Sequence, residues 1–180
     1  MGFVLIVTNS CKKKESDSNA TVLTIGQSYQ GGIIAYILQP GDPGYNADVQ
    51  HGFIAAPSDQ STGIQWYNGS YTVTGATATV LGTGNDNTAT IVNSQGTGNY
   101  AAKICSDLVL GGHDDWFLPS KDELNKLYLN KIAIGGFANP GYWSSSEDGN
   151  GNAWIQYFDT GALNSIAKKL ECHVRAVRAF

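Results

Sequence analysis

Glycine recurs 22 times along this chain and breaks its apolar residues into short runs. That pattern confines the fold to short elements joined by many loops. Four Trp, nine Tyr and six Phe are spread among polar residues rather than gathered in one stretch. The 180 residues, 42% hydrophobic and 14% charged, are enough for one domain with its own core and too apolar for a disordered chain. With a net charge of −4 and eleven Lys and Arg that form no long basic stripe, the chain lacks the clustered positive charge that phosphate binding needs, so nucleic acid is not an expected partner.

The organisation begins with a leader. Phe3-Val4-Leu5-Ile6-Val7 runs into Ser10-Cys11 and then Lys12-Lys13-Lys14. An apolar run ending in a small residue and a cysteine resembles the end of a bacterial lipoprotein signal peptide. This makes residues 1–11 a signal remnant ending at a lipidated Cys11, and residues 12–29 a polar tether. The competing reading is a buried N-terminal strand ending in a lysine patch. Under the first reading the membrane is met by a lipid anchor only, since no other segment nears the ~18 apolar residues that span a bilayer.

The domain proper is expected over residues 30–180. Residues 32–38 and 52–57 read as strands, the first stopped by Pro40-Gly41 and the second by Pro57, with 64–66 a short third. Residues 68–87, rich in Gly, Thr and Asn, read as a long loop. A helix is expected over 100–110, with Ala101, Ile104, Cys105 and Leu108 on its apolar stripe and Gly111-Gly112 as its stop. A helical turn over 87–94 fits as well. A second helix starts at Ser120, where Ser120 and Glu123 form a capping box and Leu124, Leu127 and Tyr128 follow as the core stripe. After Gly141 everything reads as strands and turns: 142–146, 152–159, 163–167 and 174–180.

The 152–159 strand carries a sharper expectation. Side chains alternate, so Trp154, Gln156 and Phe158 share one face and Ala153, Ile155, Tyr157 and Asp159 the other. If Trp154 and Phe158 point inward, Ile155, Tyr157 and Asp159 form an exposed contact face. The strand pattern alone is equally consistent with both faces being packed.

Three groups of residues, taken in order, carry a resemblance. Gly111-Gly112-His113-Asp114-Asp115-Trp116-Phe117-Leu118-Pro119-Ser120-Lys121-Asp122-Glu123-Leu124, then Tyr142-Trp143-Ser144-Ser145-Ser146-Glu147, then Ala153-Trp154, Phe158, Gly161 and Val174-Arg175-Ala176-Val177-Arg178 resemble the motifs of the bacterial family typified by the C-terminal domain of the Legionella collagen-like adhesin. The resemblance implies an α+β, C-type-lectin-like fold with two helices and small antiparallel sheets, an outer one joining the chain ends. It also implies a binding role, displayed at the bacterial envelope or cell surface, toward a protein or glycan on another cell, phage or host surface.

The tail, 142–180, further resembles the variable region of a diversity-generating retroelement target. There, codons rich in adenine drift while a scaffold stays constant. The implied scaffold is Trp143, Glu147, Trp154, Gln156, Phe158, Gly161, Lys168, Arg175 and Arg178. The implied ligand-binding face is Asp148, Asn150, Asn152, Ile155, Tyr157, Asp159, Ala162, Asn164, Ile166, Leu170, Cys172 and His173. The alternative within the same fold is a fixed-sequence polysaccharide-binding adhesin stacking sugars on Trp66, Tyr67 and Trp143. Relatives carry a cysteine where this chain has Ala176. Cys172 lies four residues earlier, about 13 Å along a strand, so Cys105 and Cys172 are expected to be unbridged.

No catalytic group, metal or cofactor is expected. His113-Asp114-Asp115 is the densest ionisable cluster and reads as a turn before Trp116, with an Asp capping backbone N–H groups. No zinc spacing, EF-hand loop or phosphate loop occurs.

Overall fold

The computed structural model describes residues 22–139 and 141–180. The leader, Cys11 and most of the anticipated tether lie outside the described residues. The architecture is α+β, as the resemblance implied. One sheet comprises β1 (Ser28–Tyr29), β2 (Gly32–Ile37), β3 (Gly52–Ala55) and β9 (Val177–Ala179), in that spatial order. It brings the first strand and the last into one layer. The other sheet comprises β4 (Ser61–Ile64), β8 (Cys172–Val174), β5 (Gly141–Asp148), β6 (Asn152–Tyr157) and β7 (Leu163–Ala167), again in spatial order. All pairings are antiparallel except β5 with β8, which is parallel through Tyr142 and His173.

Four helices, rather than two, are present among the described residues: α1 (Gly84–Gln95), α2 (Ala101–Ser106), α3 (Lys121–Leu129) and α4 (Lys131–Ile134). The start of α3 follows the capping-box reading. Ser120 Oγ accepts from Glu123 N and the Glu123 carboxylate accepts from Ser120 N. That same carboxylate also accepts from Gly82 N at 2.7 Å and Gly84 N at 3.3 Å, so one buried side chain anchors the starts of both α1 and α3. Held this way, and by Thr88 Oγ1 accepting from Leu118 N, α1 extends the helical turn expected over 87–94 by three residues at its start and one at its end. A helix rich in Asn and Thr depends on such tertiary support.

Other boundaries also move. α2 ends at Ser106, four residues short of expectation, and Gly111-Gly112 instead turns a tight hairpin in which Leu110 and His113 exchange backbone hydrogen bonds. The tether gives way to folded chain before residue 29. Leu23 N donates to Gln50 Oε1, Gly26 N donates to Ile34 O, and Ser28–Tyr29 is already strand β1. The closing segment splits. β8 and β9 belong to different sheets, with Arg175 and Ala176 at the crossing.

Two hydrophobic clusters fill the interior. One gathers Trp66, Trp116, Trp143, Ile91, Ala153 and Ile155 between the five-stranded sheet and α1–α2. The other gathers Phe117, Leu124, Leu127, Tyr142 and Phe158 under α3. β6 runs between them.

Candidate ligand-binding surface

The position of β6 decides which tail residues are available to a ligand. On one face Trp154 lies beneath Lys121, whose Nζ is 4.2 Å from the indole centroid, and Gln156 Nε2 donates to Asn125 Oδ1 at 2.8 Å. Both partners come from α3. On the opposite face Ala153 and Ile155 are buried against the tryptophan cluster. Both faces are therefore packed, and Ile155, 1% exposed, is core rather than contact surface. Tyr157 is half-buried against the same cluster.

The exposed tail residues lie at the two ends of β6 and along the edge strand. At one end the turn after β5 exposes Asp148, Asn150 and Asn152. At the other, Asp159 and Ala162 are exposed on the turn into β7. That turn closes on Gly161, whose φ of 79° is left-handed and whose Cα sits so close to the Tyr128 ring that a Cβ would lie 2.5 Å from it. Along β7 Asn164 is exposed and Ile166 half-buried, and Leu170 projects from the turn beyond.

The first of these ends is built on a buried ion pair. Glu147 and Lys168 have side chains fully withdrawn from solvent, and Lys168 Nζ lies 2.5 Å from Glu147 Oε1. The carboxylate also accepts from Thr74 N and Gly75 N, while Lys168 Nζ donates to Thr72 O and sits 4.7 Å from the Trp66 ring centroid. Burial on its own would raise the Glu147 pKa. The Lys168 hydrogen bond and the two amides outweigh it and hold the carboxyl below its ordinary value. The pair thus pins the 72–76 stretch beside the 148–152 turn. It leaves Tyr71 and Val73, 47% and 61% exposed, on the surface next to that turn. Sequence reasoning missed these two. The polar–apolar alternation of Ser70-Tyr71-Thr72-Val73 was visible, but nothing in the sequence showed that the segment would be tied to the tail.

Cys172 and His173 do not join the exposed set. β8 is flanked by β4 and β5, and both residues are buried. His173 Nδ1 lies 2.9 Å from Asp59 Oδ2, which also accepts from Tyr142 OH at 2.8 Å. Asp59 Oδ1 accepts from Arg175 Nε at 2.7 Å, and the rest of that guanidinium donates to the carbonyls of Ala56, Gly135 and Gly136. Burial, foremost, pushes the Tyr142 phenol up to about 12. His173 is thus one arm of an internal network. Trp66 and Trp143 are likewise wholly buried, their indole N–H groups donating to Ser144 O and Ile64 O. Neither can stack on a sugar. Of the proposed stacking residues only Tyr67 reaches the surface, paired with Tyr71 at 4.9 Å between ring centroids.

The His113-Asp114-Asp115 turn has a structural task different from the expected backbone cap. Asp115 takes both Arg178 Nε, at 2.6 Å, and Arg178 Nη2, at 2.8 Å, and that hydrogen bonding holds its carboxyl below the usual range. The fork fastens the Trp116 segment to the last strand. Among the described residues no group of three or more His, Cys, Asp or Glu converges as a metal site.

Of the charged residues in the three motif groups, Asp115 and Arg178 pair with each other, Glu147 with Lys168 and Arg175 with Asp59, while Glu123 caps α3. A model of the Lcl C-terminal domain matches residues 56–178. The chain belongs to that family. No curated protein matches it. As an Lcl C-terminal domain it is a surface adhesin-like domain. No helix among its described residues is long and apolar enough to cross a membrane.

The two thiols of this Lcl C-terminal domain are free. Burial pushes the Cys105 thiol far above its ordinary value and Cys172 up to about 11. Brief iodoacetamide treatment of the native chain at pH 8, read by mass spectrometry, is expected to leave both unmodified. Denaturant should expose both to full alkylation.

Proposed function

We propose that this chain is a lipid-anchored variable receptor: a C-type-lectin-like scaffold displaying exchangeable side chains, diversified by a retroelement, for binding a protein or glycan on another cell, phage or host surface. In this reading it is a binding protein and not an enzyme, and it needs no metal or cofactor.

The observation that supports it is a segregation by burial within 142–180. Asp148, Asn150, Asn152, Asp159, Ala162, Asn164 and Leu170, all positions that adenine mutagenesis can reach, are exposed. Of the scaffold positions between and beside them, Trp143, Glu147, Gln156, Phe158, Lys168, Arg175 and Arg178 are buried and Trp154 and Gly161 half-buried. A sequence free to change must keep its changes off the core, because core substitutions cost several kcal/mol each, about 2–5 for a large-to-small change. Ile155, Cys172 and His173 leave the exchangeable set on the same ground. Tyr157 and Ile166, half-buried, form its margin.

The test is to sequence the 3′ end of the gene and its flanks across many isolates. Differences should fall in the codons of the seven exposed positions, with a nearby template copy differing only where it carries adenine. A fixed tail without a template ends the variable-receptor reading. It would leave the fixed-sequence adhesin, which the surface Tyr67–Tyr71 pair favours. Loss of glycan-array signal on Tyr71→Ala would then support that role.

A further inference from the structure

One corner of the domain is apolar and exposed. Ile132 is 89% exposed and Leu129 64%, at the junction of α3 and α4, and Ala133 beside them is exposed too. The N-terminal segment runs over this corner. Gly26, at φ 88°, approaches α4 so closely that a Cβ would lie 2.9 Å from Ala133 O. Val22 and Ile25, just before it, are 73% and 37% exposed. Apolar groups this open, gathered where two segments meet, call for a covering partner.

Charge and chain length say which partner. The chain carries 15 Asp and Glu, yet none occurs between Asp17 and Asp42 or between Glu123 and Glu147, the two stretches that form this corner. Lys126, over the Tyr36 ring whose hydroxyl donates to Asp42, and Lys131 fall within the second, and Lys12, Lys13 and Lys14, followed by Glu15 and Asp17, precede the first. Asp159 flanks the corner, next to the Phe158 carbonyl that Lys131 holds. These two stretches add no charge that anionic headgroups would repel. The eleven residue steps from Cys11 to Val22 reach at most about 40 Å even when fully extended. A lipid on Cys11 therefore keeps Val22 within that distance of the bilayer.

We infer that Leu129, Ile132, Ala133, Val22 and Ile25 form a membrane-resting face, seated in the interfacial region of an anionic bilayer, which orients the domain with its 148–152 turn pointing away. The inference rests on the lipid-anchor reading. It also sharpens the binding reading. The turn bearing Asp159 and Ala162 is held against α3 through Tyr128 and so lies on the membrane side. The 148–152 turn lies at the opposite end of β6, a six-residue strand about 20 Å long. The ligand is then met by Asp148, Asn150, Asn152 and Leu170, with Tyr71 and Val73 as fixed neighbours. Asp159 and Ala162, exchangeable in the reading above, then vary without touching the ligand.

The test uses the full anchored chain in vesicles of phosphatidylethanolamine and phosphatidylglycerol, with one environment-sensitive dye placed by Ile132→Cys or by Asn150→Cys. The buried Cys105 and Cys172 stay unlabelled in the native protein. The dye at position 132 is expected to shift its emission to the blue and to be quenched by spin-labelled lipid. The dye at 150 should do neither. Adding Leu129→Asp to the position-132 variant should abolish both effects. Vesicle flotation without quenching at position 132 overturns the membrane-resting face and leaves the anchor standing. A blue shift without lipid quenching means that protein covers the corner, and overturns it equally. A chain that fails to float with the vesicles removes the anchor reading and this inference with it.

Discussion

Replacing Lys168 by methionine is expected to destabilise the domain by about 3–5 kcal/mol, a large share of the ~5–15 kcal/mol that holds a domain of this size together. The reason lies in what remains. Glu147 would keep its two amide donors, Thr74 N and Gly75 N, but its carboxylate would be fully buried with no positive charge beside it. The double variant Glu147→Gln/Lys168→Met removes the stranded charge and should recover much of the loss, since an ion pair and a well-packed neutral replacement are often close in stability. Urea titration of the two variants measures the difference. If Lys168→Met and the double variant are equally unstable, the lost methylene packing and the Thr72 contact matter, not the charge. The same pair imposes a pH dependence. The Glu147 carboxyl is depressed in the folded state, so its contribution is present above the ordinary glutamate value of 4.5 and is lost as pH falls through the lower folded value. Asp115 and Asp42, also depressed, act in the same direction. Glu123 acts against them, because burial, exceeding the three amides that bond it, raises its value and favours the folded state when it is protonated. Acid destabilisation should therefore be shallower in the double variant than in the natural chain.

The parts of this fold that were legible in sequence are those governed by local chemistry. The Ser120–Glu123 box was readable because a cap needs only residues three apart. The strands at 32–37, 52–55 and 163–167 were readable because turn formers bound them. The reading of β6 failed for a reason that alternation cannot overcome. Alternation tells which residues share a face, but not whether a second layer covers the other face. Here α3 covers Trp154 and Gln156 while the tryptophan cluster covers Ile155. The errors at Cys172 and His173 are of the same kind. Mutational reach is a property of codons, whereas burial comes from β8 lying between β4 and β5. Helix α1 was legible only as a turn because its buried side includes Asn87, Thr88 and Gln95, polar groups that composition assigns to loops and whose partners here include Ala78 O, Leu118 N and Asn68 N from other segments. The 70–73 loop became part of the candidate site through Glu147 and Lys168, contacts spanning more than seventy residues.

Arg175→Met should be about as damaging as Lys168→Met, again about 3–5 kcal/mol. Arg175 is fully buried and joins three separate segments. It donates to Asp59, to Ala56 O and to the carbonyls of Gly135 and Gly136, with Phe137 4.2 Å from its guanidinium carbon. Methionine satisfies none of these acceptors, and lysine cannot reproduce the fork, so Arg175→Lys should recover only part of the loss. The informative companion is His173→Ala. If His173 were an exchangeable surface position, this change would cost less than about 0.5 kcal/mol, as ordinary surface substitutions do. Its bond to Asp59 Oδ2 and its burial predict instead a loss of about 1–2 kcal/mol. Asn150→Ala supplies the contrast, with stability unchanged. Thermal melts of the four single variants therefore separate the constant positions from the exchangeable ones without knowledge of any ligand. A stable His173→Ala would return that residue, and Cys172 beside it, to the exposed recognition surface. An unstable one places the inner limit of exchange at Leu170. Beyond that point the chain enters β8 and serves the fold.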